Sequence, residues 1–211
     1  MTNFIPLFPL SIVVYPGEDL NLHIFEPRYK QLVNDCFIAK KPFGIPTVIN
    51  NVVMEYGTLV EIIEIVQVHP NGEMDIKTKG TLIFKMLEKI EGLPNKLYHG
   101  AIVTYPPTKY IAKPTLMKTI INSIRELHKL LNVSKNFNQI DDALLSFDVA
   151  HHAGMALEEE YQLLEIEQEL HRQEVLKRHL LNVIAVMIKM EELKNKIKLN
   201  GHFKNLEGFN F

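Results

Sequence analysis

Two long runs of alternating apolar and polar residues, "GTLVEIIEIVQV" (57–68) and "GEMDIKTKGTLIFKMLEKI" (72–90), are separated only by "HPN". Side chains on a strand point to opposite faces in turn, so this period of two fits a half-buried strand and no helix. Asn71-Gly72 sits between the runs and predicts a tight hairpin turn, because both residues tolerate the left-handed backbone such turns require. Gly80 divides the second run into two strands and marks a bulge. "LYHGAIVTYPP" adds a last strand, stopped by Pro106-Pro107. Towards the N-terminus, "LSIVVYP" and "LNLHIF" read as two more short strands. Many short strands joined by close turns fold into a compact, strongly curved antiparallel sheet or barrel.

One helix interrupts this region. "EPRYKQLVNDCFIAKK" places Tyr29, Leu32, Val33, Cys36 and Phe37 at helical spacing. Pro27 suits the first turn, where its missing N–H leaves no bond unmade. Pro42 and Gly44 close the helix. The strand before it puts Leu20, Leu22 and Ile24 on one face and Asn21, His23 and Phe25 on the other. The strand-to-helix corner therefore gathers His23, Phe25, Glu26, Pro27, Arg28 and Tyr29. Two roles stand side by side for it. Glu26, Pro27 and Arg28 form a structural corner if the charged pair pins helix to strand. Asn21, His23, Phe25 and Tyr29 are the candidate polypeptide-binding residues if that face is exposed beside a sheet edge.

Character changes after Lys113. "PTLMKTIINSIRELHKLLN" carries Leu116, Ile120, Ile124, Leu127 and Leu131 on one helical stripe. "DDALLSFDVAHHAG" predicts a second helix, with Asp141 or Asp142 near its cap and Gly154 near its end. "LEEEYQLLEI" is short, and a long helix follows from about Glu167 to Lys198. Its acidic start and basic end (Lys194, Lys196, Lys198) suit the helix dipole. Within it, "LLNVIAVMI" is about half the length a bilayer span needs and contains Asn182, so it reads as a buried helix segment. The expected organisation is a β domain over 1–110, a helical bundle over 111–200 and a tail over 201–211.

The chemistry that the sequence excludes is broad. No GxxxxGK[ST] and no GxGxxG occur, so no glycine-rich loop is available to cradle phosphate and no cofactor is expected. The four serines lie in no GxSxG elbow. Cys36, the only cysteine, falls on the apolar stripe of its helix and reads as a buried, inert thiol. With one thiol there is no intramolecular disulfide, which fits a reducing cytoplasm. The N-terminus lacks a basic region before its apolar residues, so no signal peptide is read. His151 and His152 are adjacent and point about 100° apart on a helix, so they do not ligate one ion together. Glu167 and His171, one turn apart, are too few for a metal site, as are Gln168 and Arg172. No catalytic, cofactor or metal residue is assigned. A net charge of −2 provides no field to gather nucleic acid, and basic residues do not cluster with aromatics on any strand.

"IPLFPLSIVVYPGEDLNLHIFEPRYKQLV" followed by "YGTLVEIIEIVQVHPNGEMDIKTKGTLIFKM" resembles the N-terminal, substrate-binding domain of the Lon proteases. The likeness includes the leading "PLFPL", the "VVYPG" turn and "LHIFEPRY". "SFDVAHHAGMALEEEYQLLEIEQELHRQEVLKRHLLNVI" is similar to the helical segment that follows in that family. A similar domain occurs in cereblon, where it serves protein–protein contact. The resemblance implies an α+β fold: a PUA-like curved antiparallel β pseudo-barrel, then a C-terminal α-helical bundle with one long helix. It implies a non-catalytic module that binds unfolded or apolar-rich polypeptides, or a protein partner such as a Lon-type or other ATP-dependent protease. The ATPase and serine–lysine peptidase modules of Lon have no counterpart here, so no enzyme activity is expected. PUA-like RNA binding is the alternative, and it lacks a basic surface to support it. No membrane partner is expected.

Overall fold

A computed structural model of the chain describes residues 3–133 and 143–204. The fold is α+β. Its strands are β1 (Asn3–Pro6), β2 (Asp19–Ile24), β3 (Phe43–Ile49), β4 (Val52–Val68), β5 (Met74–Ile90) and β6 (Gly100–Thr104). Its helices are α1 (Pro27–Ala39), α2 (Pro114–Leu130), α3 (Ser146–Val149), α4 (Leu157–Glu165) and α5 (Glu169–Lys204), and a 3-10 turn spans Ala150–His152. Two compact units divide the chain: Met1–Ile111 with Gly154–Arg172, and Ala112–Ala153 with Gln173–Phe211. Residues 154–172 thus return to the β unit, and the boundary falls inside the first turn of α5.

The expected hairpin is the spine of the first unit. β4 and β5 are antiparallel partners along nearly their whole length, and the six-stranded sheet runs β1-β6-β5-β4-β3, with β2 also paired to β5. Gly80 does not separate two strands; β5 passes through it without a break. The register shifts between Leu59 and Val60, opposite Gly80–Leu82, so the bulge expected there is present. Further shifts follow between Ile62 and Glu64 and between Ile65 and Gln67. Each extra residue raises the local twist, which lets 17-residue strands curl. "LSIVVYP" is not a ladder strand. Leu7 and Leu10 make parallel bridges to Gly44 and Thr47 on β3, and Val13, Val14 and Tyr15 are buried. Those bridges join the two ends of the sheet and give the pseudo-barrel.

α1 begins at Pro27 as the spacing predicts and ends at Lys40, whose φ of 52° reverses the chain. Its Tyr29, Leu32, Val33 and Cys36 pack on Phe8, Phe43, Ile45 and Ile76. A second cluster, Ile5, Leu7, Leu59, Phe84, Ala101 and Val103, fills the other part of the barrel. Two tyrosines fasten α4 to the sheet. The Tyr15 hydroxyl donates to the Glu160 carbonyl at 3.1 Å, and the Tyr56 N–H donates to the Tyr161 hydroxyl at 3.1 Å.

The second unit is helical. α2 buries Leu116, Met117, Ile120, Ile121, Ile124 and Leu127, the expected stripe, although Leu131 just past its end is exposed. The helix expected over "DDALLSFDVAHHAG" is reduced to the short α3 and the 3-10 turn, while Asp141 and Asp142 lie outside the described residues. α5 is longer than expected and continues through Gly201 to Lys204; the rest of the tail, 205–211, lies outside the described residues. "LLNVIAVMI" is not buried all round. Leu176, Leu180 and Ile184 form the buried stripe, while Leu181, Val186 and Ile188 are exposed. Among the described residues no helix is long and apolar enough to cross a membrane.

Candidate functional site: the outer face of β2 and the β4–β5 hairpin

β5 is flanked by β2 on one side and β4 on the other, in a register that follows from the alternation. Leu22↔Ile76 and Ile24↔Met74 point inwards, and Asn21↔Lys77 and His23↔Asp75 point outwards. Asn21 and His23, which alternation sets opposite the leucines, are exposed, and Phe25 is 59% exposed. Tyr29 departs from the expected binding face. It is only 8% exposed and its ring lies 4.0 Å from that of Phe8, so it is a core residue and no surface contact. Helical spacing puts Tyr29 on the apolar stripe of α1, and that stripe faces the barrel.

The corner pair also differs in its role. Arg28 binds Glu26, with Nε and NH2 lying 2.8 and 2.7 Å from Oε2, but both side chains are more than a third exposed. The Glu26 carboxylate does not cap the helix; its main-chain carbonyl accepts from the Tyr29 and Lys30 N–H groups instead. The pair therefore bridges two neighbouring residues and does not tie helix to strand. An exposed pair of this kind contributes under about 1 kcal/mol. Arg28→Ala is accordingly expected to leave the denaturant midpoint nearly unchanged; a loss near 3 kcal/mol, the cost of breaking a buried pair, would show that the corner is a pin after all.

The hairpin turn is wider than Asn71-Gly72 alone suggests. Gly72 N–H donates to the His69 carbonyl at 2.8 Å, closing a turn with Pro70 second and Gly72 at φ 77°. His69 N–H then donates to the Glu73 carbonyl at 2.8 Å. Proline second and a left-handed glycine last fit a type I turn with a glycine bulge. This geometry sets His69 and Glu73 at the root of the hairpin, against the end of β2.

Four titratable side chains meet there. His23 Nδ1 lies 2.7 Å from Asp75 Oδ1, and its Nε2 lies 3.2 Å from Glu73 Oε2. His69 Nε2 lies 2.7 Å from Asp75 Oδ2. The His23 ring stacks beside Phe25, with centroids 6.3 Å apart. With a carboxylate on each ring nitrogen, His23 donates twice only as imidazolium. Its hydrogen bond to Asp75, aided by the charges of Asp75 and Glu73, raises its pKa above the ordinary 6.5. Hydrogen bonds from His23 and His69 hold the Asp75 carboxyl below its ordinary 3.8. The Asn71 amide, then His23, does the same for Glu73.

The signs define a window. The raised His23 pKa contributes stability that is present below the unfolded value and is lost as pH rises through the folded one. The lowered Asp75 pKa contributes stability that is present above its unfolded value and is lost as pH falls through the folded one. The contact between β2 and the hairpin is therefore tightest from about pH 4 to somewhat above pH 6.5. An NMR titration of His23 is expected to give a midpoint above 6.5, falling towards 6.5 in Asp75→Asn. An unchanged midpoint in that variant would remove Asp75 as the cause.

Beyond the cluster, Asn21, His23, Val66, Asp75 and Lys77 line a shallow open groove of about 350 Å³. Val66 is an extra residue at one β4 bulge and is half exposed, and Ile63 at the other bulge is 59% exposed. The lysines on this face are paired: Lys77 with Glu64 at 3.2 Å and Lys79 with Asp19 at 3.8 Å. Alternation alone marked Asn21 and His23. It did not mark His69, Glu73, Asp75 or Val66, because cross-strand register and bulges bring those residues in.

The other residues singled out in the sequence do not join this site. Cys36 is buried, and desolvation pushes its thiol up to about 12, so it is no nucleophile at neutral pH. His152 is in the second unit, where its carbonyl is 3.1 Å from His128 Nε2, and His151 is exposed. His171 and Glu167 are exposed, whereas Arg172 is wholly buried.

The family model for the ATP-dependent protease La (LON) substrate-binding domain matches residues 5–193. Among solved structures, the Lon N-terminal domain protein from Xanthomonas campestris is 24% identical, with a TM-score of 0.65 over 82% of this chain and 96% of that one. The N-terminal domain of Mycobacterium avium complex Lon protease is 14% identical, with a TM-score of 0.62 over 84% of this chain and 98% of that one. At these identities the two structures share its fold. No curated protein matches the chain. The family match takes in every strand from β2 to β6 and most of α5, and the chain belongs to the LON substrate-binding domain family of ATP-dependent protease La.

Proposed function

We propose that this chain is a non-catalytic module that binds unfolded or apolar-rich polypeptide, or a protein partner such as a Lon-type or other ATP-dependent protease, in a cytoplasmic setting. One observation carries the reading. Among the described residues β2 pairs with β5 alone, so no second strand lies along its other edge, and Phe25 stands exposed just past its end. An extended guest chain added there gains main-chain hydrogen bonds, and its alternate side chains fall on the face of Asn21, His23 and Phe25. Val66 and Ile63 extend the apolar surface across the sheet. The family's substrate-binding role supports the same reading. The paired lysines of this face speak against the RNA alternative, since they leave no unneutralised basic stripe to displace counterions.

Anisotropy of a labelled unfolded polypeptide tests the proposal. One shallow face binds weakly, with a dissociation constant in the micromolar range or above, about 8 kcal/mol or less. Phe25→Ala is expected to weaken binding roughly 5- to 30-fold, the loss of 1–2 kcal/mol usual for an exposed aromatic anchor. Its unfolding free energy should fall by about 1–2 kcal/mol, short of the roughly 3–5 kcal/mol of a buried phenylalanine, because more than half of Phe25 stays in water. A large drop in stability with unchanged affinity per folded molecule would place the binding face elsewhere.

A further inference from the structure

We propose that His23, His69 and Asp75 form a binding site for a divalent transition-metal ion of the zinc class. The donor atoms of the three side chains all lie within 4.8 Å of one another. They come from three places that the backbone holds in register: β2, the root of the hairpin and β5. His23 faces Asp75 across the β2–β5 ladder, and His69 is fixed by the turn that Gly72 and Glu73 close.

The donor set selects the ion. Two imidazole nitrogens and one carboxylate suit zinc, cobalt, nickel or copper, whereas calcium and magnesium require oxygen. Three protein ligands leave a fourth position for water, as in open zinc sites. Glu73 supplies the outer partner. With a metal on His23 Nδ1, the Nε2–H still donates to the Glu73 carboxylate, 3.2 Å away, which fixes the tautomer and orients the ring. The two N···O gaps of 2.7 Å now hold protons. Tetrahedral bonds of about 2.0 Å put ligand atoms about 3.3 Å apart, so with Asp75 Oδ1 as the ligand the His23 ring must withdraw by roughly 0.6 Å. The His23 side chain is half exposed and has room to do so. The metal replaces the proton on His23 Nδ1 and any proton on His69 Nε2, and these protons pass to solvent. The groups around the site are Glu73, Asp75 and both histidines, with Lys30 acting on Glu73 from α1. Because the ion takes the place of these protons, its affinity is pH-dependent. The bound ion would clamp β2 to the hairpin beside the groove. This inference stands on the side-chain geometry and does not depend on polypeptide binding.

The test uses the full chain, stripped of metal, with Zn²⁺ in calorimetry and Co²⁺ in visible spectroscopy. One equivalent is expected to bind with micromolar affinity, and Co²⁺ should give an intense four-coordinate band. Histidine ring nitrogens followed by NMR should shift at His23 and His69 and not at His128. His69→Gln and Asp75→Asn, which retain polar side chains of similar shape, are expected to weaken binding at least about tenfold, and Glu73→Gln less. Binding only above millimolar concentration overturns the proposal. So do ring shifts confined to other histidines, an affinity untouched by both variants, or a preference for Mg²⁺ or Ca²⁺. The ring shifts in the native chain decide the matter even where a variant loses its fold.

Discussion

Arg172→Ala is expected to lower the unfolding free energy of the β unit by about 3–5 kcal/mol. Arg172 and Glu169 are both fully buried, and NH2 and Nε of the arginine lie 2.9 and 3.2 Å from Glu169 Oε2. A third donor, NH1, reaches the Ile166 carbonyl at 2.6 Å. Desolvation is the largest influence on Arg172 and lowers its pKa, with Glu169 opposing it. The guanidinium also satisfies the end of α4, where the chain turns into α5, and lies 5.9 Å from the Tyr110 ring. Removing it breaks the pair with the buried Glu169 carboxylate, and breaking a buried charge pair costs far more than the pair contributes. Glu169→Ala should do comparable damage from the other side. Glu169→Leu with Arg172→Met should recover much of the loss, because a buried apolar pair has no charge to desolvate. Denaturant unfolding of the three variants checks this. A midpoint for Arg172→Ala within about 1 kcal/mol of the native chain would mean that water reaches the site and screens the pair.

That pair shows where sequence reading stops. Gln168 and Arg172 are one turn apart, a spacing that by itself carries no chemistry. Nothing local marks Arg172 as interior. Its burial follows from Lys109 and Glu167, whose main chains bond at 2.8 Å and bring the segment after β6 against the start of α5. Elements set by nearest-neighbour chemistry were legible: the β4–β5 hairpin, α1 starting at Pro27 and the stripe of α2. The two faces of β2 were legible too, since alternation sets Asn21 and His23 opposite the leucines, but which face meets solvent was not. Features set by long-range pairing were hidden. Val13 and Val14 look like a strand because they are β-branched, yet they are buried without a ladder. Tyr29 looked like part of the corner surface because it directly follows Glu26, Pro27 and Arg28. Asp75 and His69 reach His23 only through the register of three strands, so the polar cluster at the candidate site had no signature in any one segment.

Phe84→Ala is expected to lower the unfolding free energy by about 3–5 kcal/mol, the usual loss for a buried phenylalanine. The ring is wholly buried, and its space is made by two glycines. A Cβ on Gly44 would meet Ile5 Cδ1 at 2.6 Å and Phe84 Cε1 at 2.8 Å, both of them side-chain atoms. A Cβ on Gly57 would meet Pro46 Cα at 2.6 Å and Phe84 Cζ at 2.7 Å, and would also press on the Ile45 carbonyl. The two positions therefore fail differently. Gly44→Ala crowds atoms that a smaller neighbour can relieve, whereas Gly57→Ala pushes on the β3 main chain, which is held in the ladder. Both alanines should destabilise by about 1–3 kcal/mol or more, the range for overpacking a core. Combining each with Phe84→Leu separates them. The Gly44→Ala double variant should be more stable than the sum of its single effects, and the Gly57→Ala double variant should be additive or worse. Equal coupling at both sites would show that the β3 backbone yields, and that barrel closure is softer than its bridges imply. Because β5 carries Phe84 near its middle and Asp75 and Lys77 near its start, a loosened barrel frees the strand on which the candidate face is built. Polypeptide affinity per folded molecule should nonetheless be unchanged in Phe84→Ala, since Phe25 and the edge of β2 keep their exposure. A loss of affinity beyond the loss of folded protein would instead show that the face depends on the second core cluster.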